Sequence, residues 1–461
     1  MSLVFLIGLS WFFAVILGVL DGRRRWVGWL SVAGLSAAFV GVTWLSVLVL
    51  RGGTLQMVGG DWAPGVGIVL RADALGVIFA SLSTAVILAA LVYEVLDGVS
   101  SRMFPALMLF LATGLNGLFL TGDAFNFYVF FEIAMIASYA LVAYGEGARQ
   151  IRAAFIFATV NLLGSVLFLI GVAALYHLTG TLEMAEIAVR TEEVATVPVL
   201  LTAVVIFVAF GVKLGIFPFH FWLPVVYTGT RPAVAAVLSG ALANIGSYGL
   251  LRFGGEILVR EREIGATALL VLGTASIIYG ALQAISRRRS TEVIAYSSIG
   301  QVGYILIAIG IGGPVGFAAA VVYAVINALN KTLLFLCCGL RGWLVGAAFV
   351  IAAFSVAGVP PAGGFLGKAS LFEAGVSLGN PAGAIAVVAL VFIGGALSFV
   401  YMFQIYQRDF WAGEKEGKAS PIALRSVALV LAAMILFIGL WPEFLLGLSR
   451  QAASVLGGGG G

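Results

Sequence analysis

Residues 197–224 read VPVLLTAVVIFVAFGVKLGIFPFHFWLP. From Val197 to Val212 the chain carries no charge and suits a helix in lipid. Lys213 then arrives, followed by Pro218 and Pro224. Proline removes a backbone donor and interrupts the helical ladder. Facing lipid, the freed carbonyls would be costly; they are tolerated where they line a polar or watery cavity. The stretch therefore predicts a membrane helix broken inside the bilayer, with a lysine beside the break. One such break is an ordinary kink. A second occurs in GVPPAGGFLGK, residues 358–368, where Pro360, Pro361, Gly363, Gly364 and Gly367 precede Lys368. Two broken helices in matching halves of a chain point to a transporter built from repeats.

Outward from these two stretches, apolar runs of spanning length recur along the chain. They fall at about 3–21, 27–50, 73–96, 104–121, 125–144, 151–177, 197–217, 234–252, 263–284, 293–312, 315–340, 343–378, 381–407 and 422–447. Fourteen helices would put both termini on one side. Basic residues set the orientation. Loops after odd-numbered helices hold fifteen of them: Arg23, Arg24, Arg25, Arg102, Arg149, Arg152, Arg231, Arg287, Arg288, Arg289, Arg341, Arg408, Lys415, Lys418 and Arg425. Loops after even-numbered helices, with the C-terminal tail, hold seven: Arg51, Arg71, Arg190, Arg252, Arg260, Arg262 and Arg450. The odd loops are thus expected in the cytoplasm. Both termini are expected on the outer side of the cell (inner) membrane. The acidic segment 178–196, with Glu183, Glu186, Glu192 and Glu193, falls outside in agreement. No loop is long enough for a soluble domain, and the closing GGGGG is low-complexity sequence with no assigned function.

Composition narrows the function classes. Of 461 residues, 62% are hydrophobic and 10% charged, with mean hydropathy +1.12, which excludes a soluble enzyme and a disordered chain. The basic residues are scattered through loops without a stripe of interleaved aromatics, so no nucleic-acid partner is expected. They suit loops facing an anionic lipid bilayer. Cys337 and Cys338 are adjacent in an apolar run, and His177 and His220 are the only histidines; neither a metal site nor a cofactor is expected.

Scarce charge makes its placement informative. Twenty of the 25 basic residues are Arg, and three of the five lysines, Lys213, Lys331 and Lys368, lie inside apolar segments. Glu132 joins them, in NFYVFFEIAMIASYAL with no neutralising neighbour in sequence. Four such groups, unpaired at the bilayer centre, would cost on the order of 10 kcal/mol. Burial disfavours the charged form and an opposite charge restores it, so a lysine balanced between the two can load and release a proton. Snorkelling to the headgroups is the plainer reading, and it suits Lys331 better than Lys213 or Lys368. Asn126, Asn161, Ser165, Asn244, Ser247, Gln283, Ser297, Ser298, Gln301, Tyr304, Asn327 and Asn330 extend the polar pattern. Together they offer a candidate hydrated path; singly, each is an ordinary interhelical hydrogen-bonding residue. His220 stands beside the first break, either as a proton carrier or as a satisfied polar residue. Asp123 and Arg231 read as loop or cap residues, and Glu94 and Glu373 as close enough to helix ends to reach water.

In order, TGDAFNFYVFFEIAMIASYAL, GVKLGIFPFHFWLPVVY, RPAVAAVLSGALANIGSYGLLR, IAYSSIGQVGYILIAIG, NALNKTLLFL and GVPPAGGFLGKASLFEAG resemble the antiporter-type membrane subunits. That family is shared by respiratory complex I, membrane-bound hydrogenases and Mrp-type cation/proton antiporters. The match runs from about residue 70 to 410 and is nearest the D-type Mrp subunit. The resemblance implies an all-α, polytopic fold with two inverted five-helix repeats, each containing a broken helix. The chain then divides into helices 1–3 (1–103), a first repeat (104–252), a second repeat (253–407) and a C-terminal helix with its tail (408–461). It also implies proton-transfer roles for Glu132, its partner Lys213, Lys331 and Lys368.

The departures matter too. The family often has a lysine where this chain has Asn244, and a histidine where it has Asn327. An amide can hold water but cannot store a proton. The resemblance therefore implies a proton-translocating, D-like subunit working with other membrane subunits, moving protons with Na+ as a candidate exchanged ion. Along the path, Asn244, His220, Asn327 and Ser298 would hold water. Two rival readings stand: a pumping subunit of complex I or a hydrogenase, and a structural subunit that seals a complex without conducting.

Overall fold

The computed structural model describes residues 3–59, 67–145, 147–411 and 420–456. Lys415, Lys418 and the terminal glycines lie outside the described residues. α1 (Leu3–Val19) and α2 (Arg25–Gly52) lead into an antiparallel hairpin, β1 (Leu55–Val58) with β2 (Val69–Ala72). Next come α3 (Ala74–Asp97), α4 (Phe104–Phe119), α5 (Ala124–Val142), α6 (Ala148–Thr179), α7 (Met184–Thr191) and α8 (Thr196–Leu214). α9 (Trp222–Gly229), α10 (Pro232–Val237), α11 (Asn244–Arg252) and α12 (Val259–Ile264) follow, with π-helical turns at Leu238–Leu242 and Phe253–Ile257. The second half holds α13 (Ala266–Ser286), α14 (Ser290–Ile311), α15 (Gly313–Cys337), α16 (Trp343–Ala357), α17 (Gly364–Val376) and α18 (Pro381–Tyr406). α19 (Ile422–Leu440) and α20 (Pro442–Leu456) close the chain.

Eleven helical segments among the described residues are long and apolar enough to cross a membrane; the shorter apolar helices α1, α4 and α16 accompany them. Burial sorts the segments into an inner and an outer set. The most apolar window of α15 is 100% buried, that of Pro232–Ile257 is 94% and that of α14 is 89%. The windows of α2 and α18 are only 33% and 28% buried, so these helices form the outer surface of the subunit. The inner helices are the ones that carry Asn244, Ser297, Gln301, Asn327 and Lys331, as expected where polar groups must avoid hydrocarbon. Small residues let the backbones meet. A Cβ on Gly303 would sit 2.5 Å from the Gly273 carbonyl, so α13 and α14 touch along their main chains.

Several expectations need correction. The hairpin was not expected: four-residue strands such as LQMV and VLRA have too little alternation to read. The acidic segment 178–196 contains α7. The helix expected over 422–447 ends at Leu440, because Pro442 cannot continue the ladder and opens α20 instead. α20 turns Leu445, Ser449, Ala452 and Leu456 inward and packs on α15 and α3.

The arginines hold the largest surprise. Arg252, read as a loop residue, is 2% exposed inside α11. It donates to Asp73 Oδ1 at 2.8 Å and to Glu256 Oε2 at 2.5 Å. Arg71, also read as a loop residue, lies on β2 and pairs with Asp73 Oδ2 at 3.1 Å and with Glu256. Tyr248 completes the cluster, its hydroxyl accepting from Arg252 at 2.9 Å and donating to the Phe119 carbonyl at 3.1 Å. Burial alone would raise the Asp73 carboxyl, but Arg252 and then Arg71 outweigh it and hold it below its ordinary range. At the other end of α3, Glu94 does not reach water. It is 1% exposed and accepts from Arg231 at 3.1 Å and from the Tyr144 hydroxyl at 2.8 Å. α3 is thus fixed to the rest of the bundle by ion pairs at both ends.

Candidate proton path

Both broken helices end in the same backbone motif. Gly215 (φ +66°) donates its N–H to the carbonyls of Gly211 (3.1 Å) and Val212 (3.2 Å), while Ile216 N–H reaches Gly211 (3.3 Å). Gly358 (φ +83°) donates to Phe354 (2.9 Å) and Ser355 (3.1 Å), and Val359 N–H reaches Phe354 (2.8 Å). This is a Schellman cap, which needs a left-handed residue that only glycine adopts freely. Three residues after each glycine stands a proline with a cis peptide bond, Pro218 and Pro361. The bends leave irregular backbone inside the bundle, and a lysine lies close to each.

Lys213 sits in the last turn of α8 and is 4% exposed. Its ammonium donates to Asn161 Oδ1 at 3.2 Å, touches Met135 Sδ, and lies 5.4 Å from the ring centres of Phe131 and Phe157. Glu132 lies on α5, the helix that also supplies Phe131 and Met135 to this ammonium. The two do not form an ion pair among the described residues; the Glu132 carboxylate instead accepts from Ser165. Each charge therefore has a neutral partner on α6, which carries both Asn161 and Ser165. Asn244 follows the first π-helical turn and donates to the Gly240 carbonyl at 2.9 Å and to Ser83 at 3.4 Å. Gly240 itself abuts Thr332, so this turn packs directly beside the Lys331 region.

Lys331 is fully buried. Its ammonium donates to Ser297 Oγ at 2.7 Å and to the Ile294 carbonyl at 3.5 Å. From Ser297 a hydrogen-bonded network continues through the Tyr401 hydroxyl (2.9 Å) to Ser398 (2.9 Å). Gln301 donates to Tyr401 (3.3 Å) and accepts from Tyr323 (2.6 Å). The Tyr323 ring lies 5.0 Å from that of Tyr304, and Lys368 Nζ lies 5.5 Å from the centre of the Tyr304 ring. Lys368 donates to the Ala357 carbonyl at 2.5 Å and lines a cavity of about 320 Å3 against the second break. The Tyr304 hydroxyl and the side-chain oxygens of Asn327 and Asn330 are buried without hydrogen-bond partners among the described residues.

The sequence-predicted residues thus fall into two groups. Glu132, Lys213, Asn161 and Ser165 form one; Lys331, Ser297, Gln301, Tyr304 and Lys368 form the other. His220 stands apart, stacked on Phe217 and 4.3 Å from the Tyr279 ring. Ser298 bonds back to the Ile294 carbonyl of its own helix at 3.0 Å. Gln283 and Asn126 lie elsewhere, on Arg287 (2.7 Å) and Thr121 (3.0 Å). Tyr401, Tyr323 and Ser398 escaped the sequence reading. Tyrosine usually marks the membrane interface, and only its hydroxyl's need of a partner when buried would have flagged them. No group of three or more His, Cys, Asp or Glu among the described residues is placed to hold a metal ion.

Known proteins share this fold. The chain is 32% identical to the D-type subunit of the Na(+)/H(+) antiporter of Alkalihalophilus pseudofirmus, over 91% of this chain and 90% of that one. Residues 121–342 match the model of the family described as NADH:quinone oxidoreductase/Mrp antiporter, transmembrane. This chain belongs to that family. Chains with a similar fold have solved structures. One in the Mrp complex of Dietzia sp. DQ12-45-1b superimposes with a TM-score of 0.91 at 26% identity, covering 99% of this chain and 97% of that one. Another, in the archaeal membrane-bound sulfane sulfur reductase, gives 0.89 at 26% identity with the same coverage. The family fold thus extends over the whole described chain, beyond the stretch that its sequence model matches.

Proposed function

We propose that this antiporter-family chain is the proton-translocating, D-like subunit of a multisubunit Mrp-type cation/proton antiporter. It would work beside other membrane subunits, with residues 104–252 and 253–407 as its two repeats and both termini on the outer side. One observation carries the reading: Lys213 packs against the α5 residues that flank Glu132, and each of the two is bonded to a neutral residue of α6. Such a pair can close and open. Closed, the carboxylate stabilises the ammonium. Open, the ammonium keeps the Asn161 oxygen and is released from the carboxylate, free to pass its proton on. That proton would move toward the Lys331 group and leave by Lys368. Replacing Lys213 with Ala in the reconstituted complex should abolish proton flux; unchanged flux would overturn the reading.

The likeness to a subunit of the sulfane sulfur reductase supports a second reading, in which redox chemistry elsewhere drives the same path. Copurifying iron–sulfur subunits would favour it over the antiporter.

A further inference from the structure

The outer side of α2, α3 and α19 holds an apolar groove of about 450 Å3. Ala85, Ala89 and Leu96 line it from one face of α3, with Phe39 of α2 and Met434 of α19 opposite. From Ala85 to Leu96 the helical rise makes it about 16 Å long. Leu96 also lines a second hollow of about 350 Å3, whose other walls include Arg23, Arg24 and Arg25. The groove thus runs from the middle of the bundle wall to a basic rim.

The rim is held in place. Gly22 donates its N–H to the Arg102 carbonyl at 2.9 Å, and a Cβ there would sit 2.6 Å from Pro105 Cδ. All three arginines are exposed, and none makes an ion pair or side-chain hydrogen bond among the described residues. The nearby acids are engaged otherwise. Glu94 and Asp97 at the end of α3 pair with Arg231, and Asp21 accepts the Arg23 backbone N–H at 3.1 Å. Trp26 and Trp29, 53% and 42% exposed beside the arginines, mark the level of the membrane interface. An apolar slot that ends at interface depth in unneutralised arginines matches one molecule bearing both an acyl chain and a phosphate. A transmembrane helix would fill the slot but leave the three charges unmet.

We propose that this groove binds one anionic phospholipid, an acyl chain lying between α3 and α19 and the phosphate on Arg23, Arg24 and Arg25. The test uses the intact assembly, purified and delipidated, then offered phosphatidylglycerol or phosphatidylcholine in mixed micelles, with bound lipid read by native mass spectrometry. Phosphatidylglycerol should bind at one per subunit and phosphatidylcholine far more weakly. The combined R23Q, R24Q and R25Q variant should lose roughly a hundredfold in affinity. Met434→Trp, which fills the groove from a partly exposed position, should lower occupancy while leaving the arginines intact. Subunit composition and elution volume check that each variant assembles. Equal binding of the two lipids, retention of lipid by the arginine variant, or a partner helix found in the groove would each overturn the proposal.

Discussion

Lys331 Nζ lies 2.7 Å from Ser297 Oγ, and that hydroxyl is in turn 2.9 Å from the hydroxyl of Tyr401. Among the described residues, the fully buried ammonium therefore rests on hydroxyl and carbonyl oxygens alone, with no carboxylate among its hydrogen-bond partners. Ser297→Ala removes its side-chain partner and cuts it from Tyr401 in one step. Proton flux in proteoliposomes should fall by about tenfold or more, equivalent to roughly 1.4 kcal/mol in the barrier. Tyr401→Phe should act similarly while preserving packing. Wild-type flux in both would show that the network is structural.

Gly395 faces Lys368. A Cβ there would stand 2.8 Å from Nζ and 3.0 Å from the Ala357 carbonyl that Nζ binds. Gly395→Ala should push the ammonium off that carbonyl and reduce flux severalfold with the subunit still assembled. Val387→Ala, on the same helix but away from the lysine, serves as the control and should transport normally.

The two amides give a gain-of-function test. Asn327→His supplies a titratable ring where an orphaned oxygen now lies, next to Lys331 in α15. Asn244→Lys supplies a cation beside the Gly240 carbonyl and Ser83. If these stations limit transport, the double variant should exceed wild-type flux; no gain would mean that the rate is set elsewhere.

Asp73 offers a stability test. Asp73→Asn leaves Glu256 as the one carboxylate pairing with Arg252 and Arg71 among the described residues, and breaking such a buried cluster should cost about 3–5 kcal/mol. Because the folded-state value of this carboxyl is lowered, its contribution is present above the unfolded value of about 3.9 and fades as pH falls through the lower folded one. Wild-type melting temperature should therefore drop below about pH 4, and the Asn variant should lose less over the same interval. Parallel pH profiles would exclude the ion-pair account.

Much of this was legible in sequence because lipid imposes strong rules. Spanning length, a proline inside an apolar run and a lysine beside it each have few explanations. That is why both breaks, and a buried lysine beside each, could be read from residues alone, whereas Lys331, best suited to snorkelling on sequence, is fully buried. What escaped depends on contacts between helices. Arg252 sits at the edge of an apolar run, where loop and buried ion pair look alike until Asp73, almost 180 residues away, is seen against it. Tyr401 and Tyr323 were missed because nothing in their own helices shows that their hydroxyls meet Ser297 and Gln301. The π-helical turns on either side of Asn244 also shift the helical faces, so a 3.6-residue period cannot predict which side chains align beyond Leu238.

The twin caps at Gly215 and Gly358 have a consequence for how the two halves correspond. Lys213 comes two residues before its glycine, and Lys368 ten residues after its own. Yet Lys368 reaches back to the carbonyl of Ala357, the last residue of α16, while Lys213 is itself carried on the last turn of α8. Both cations are thus associated with the electronegative end of the first half-helix. The symmetry of the molecule is one of electric field, with the same seat filled from opposite arms of the bend. Aligning the halves residue by residue would pair each lysine with an uncharged position and hide the correspondence.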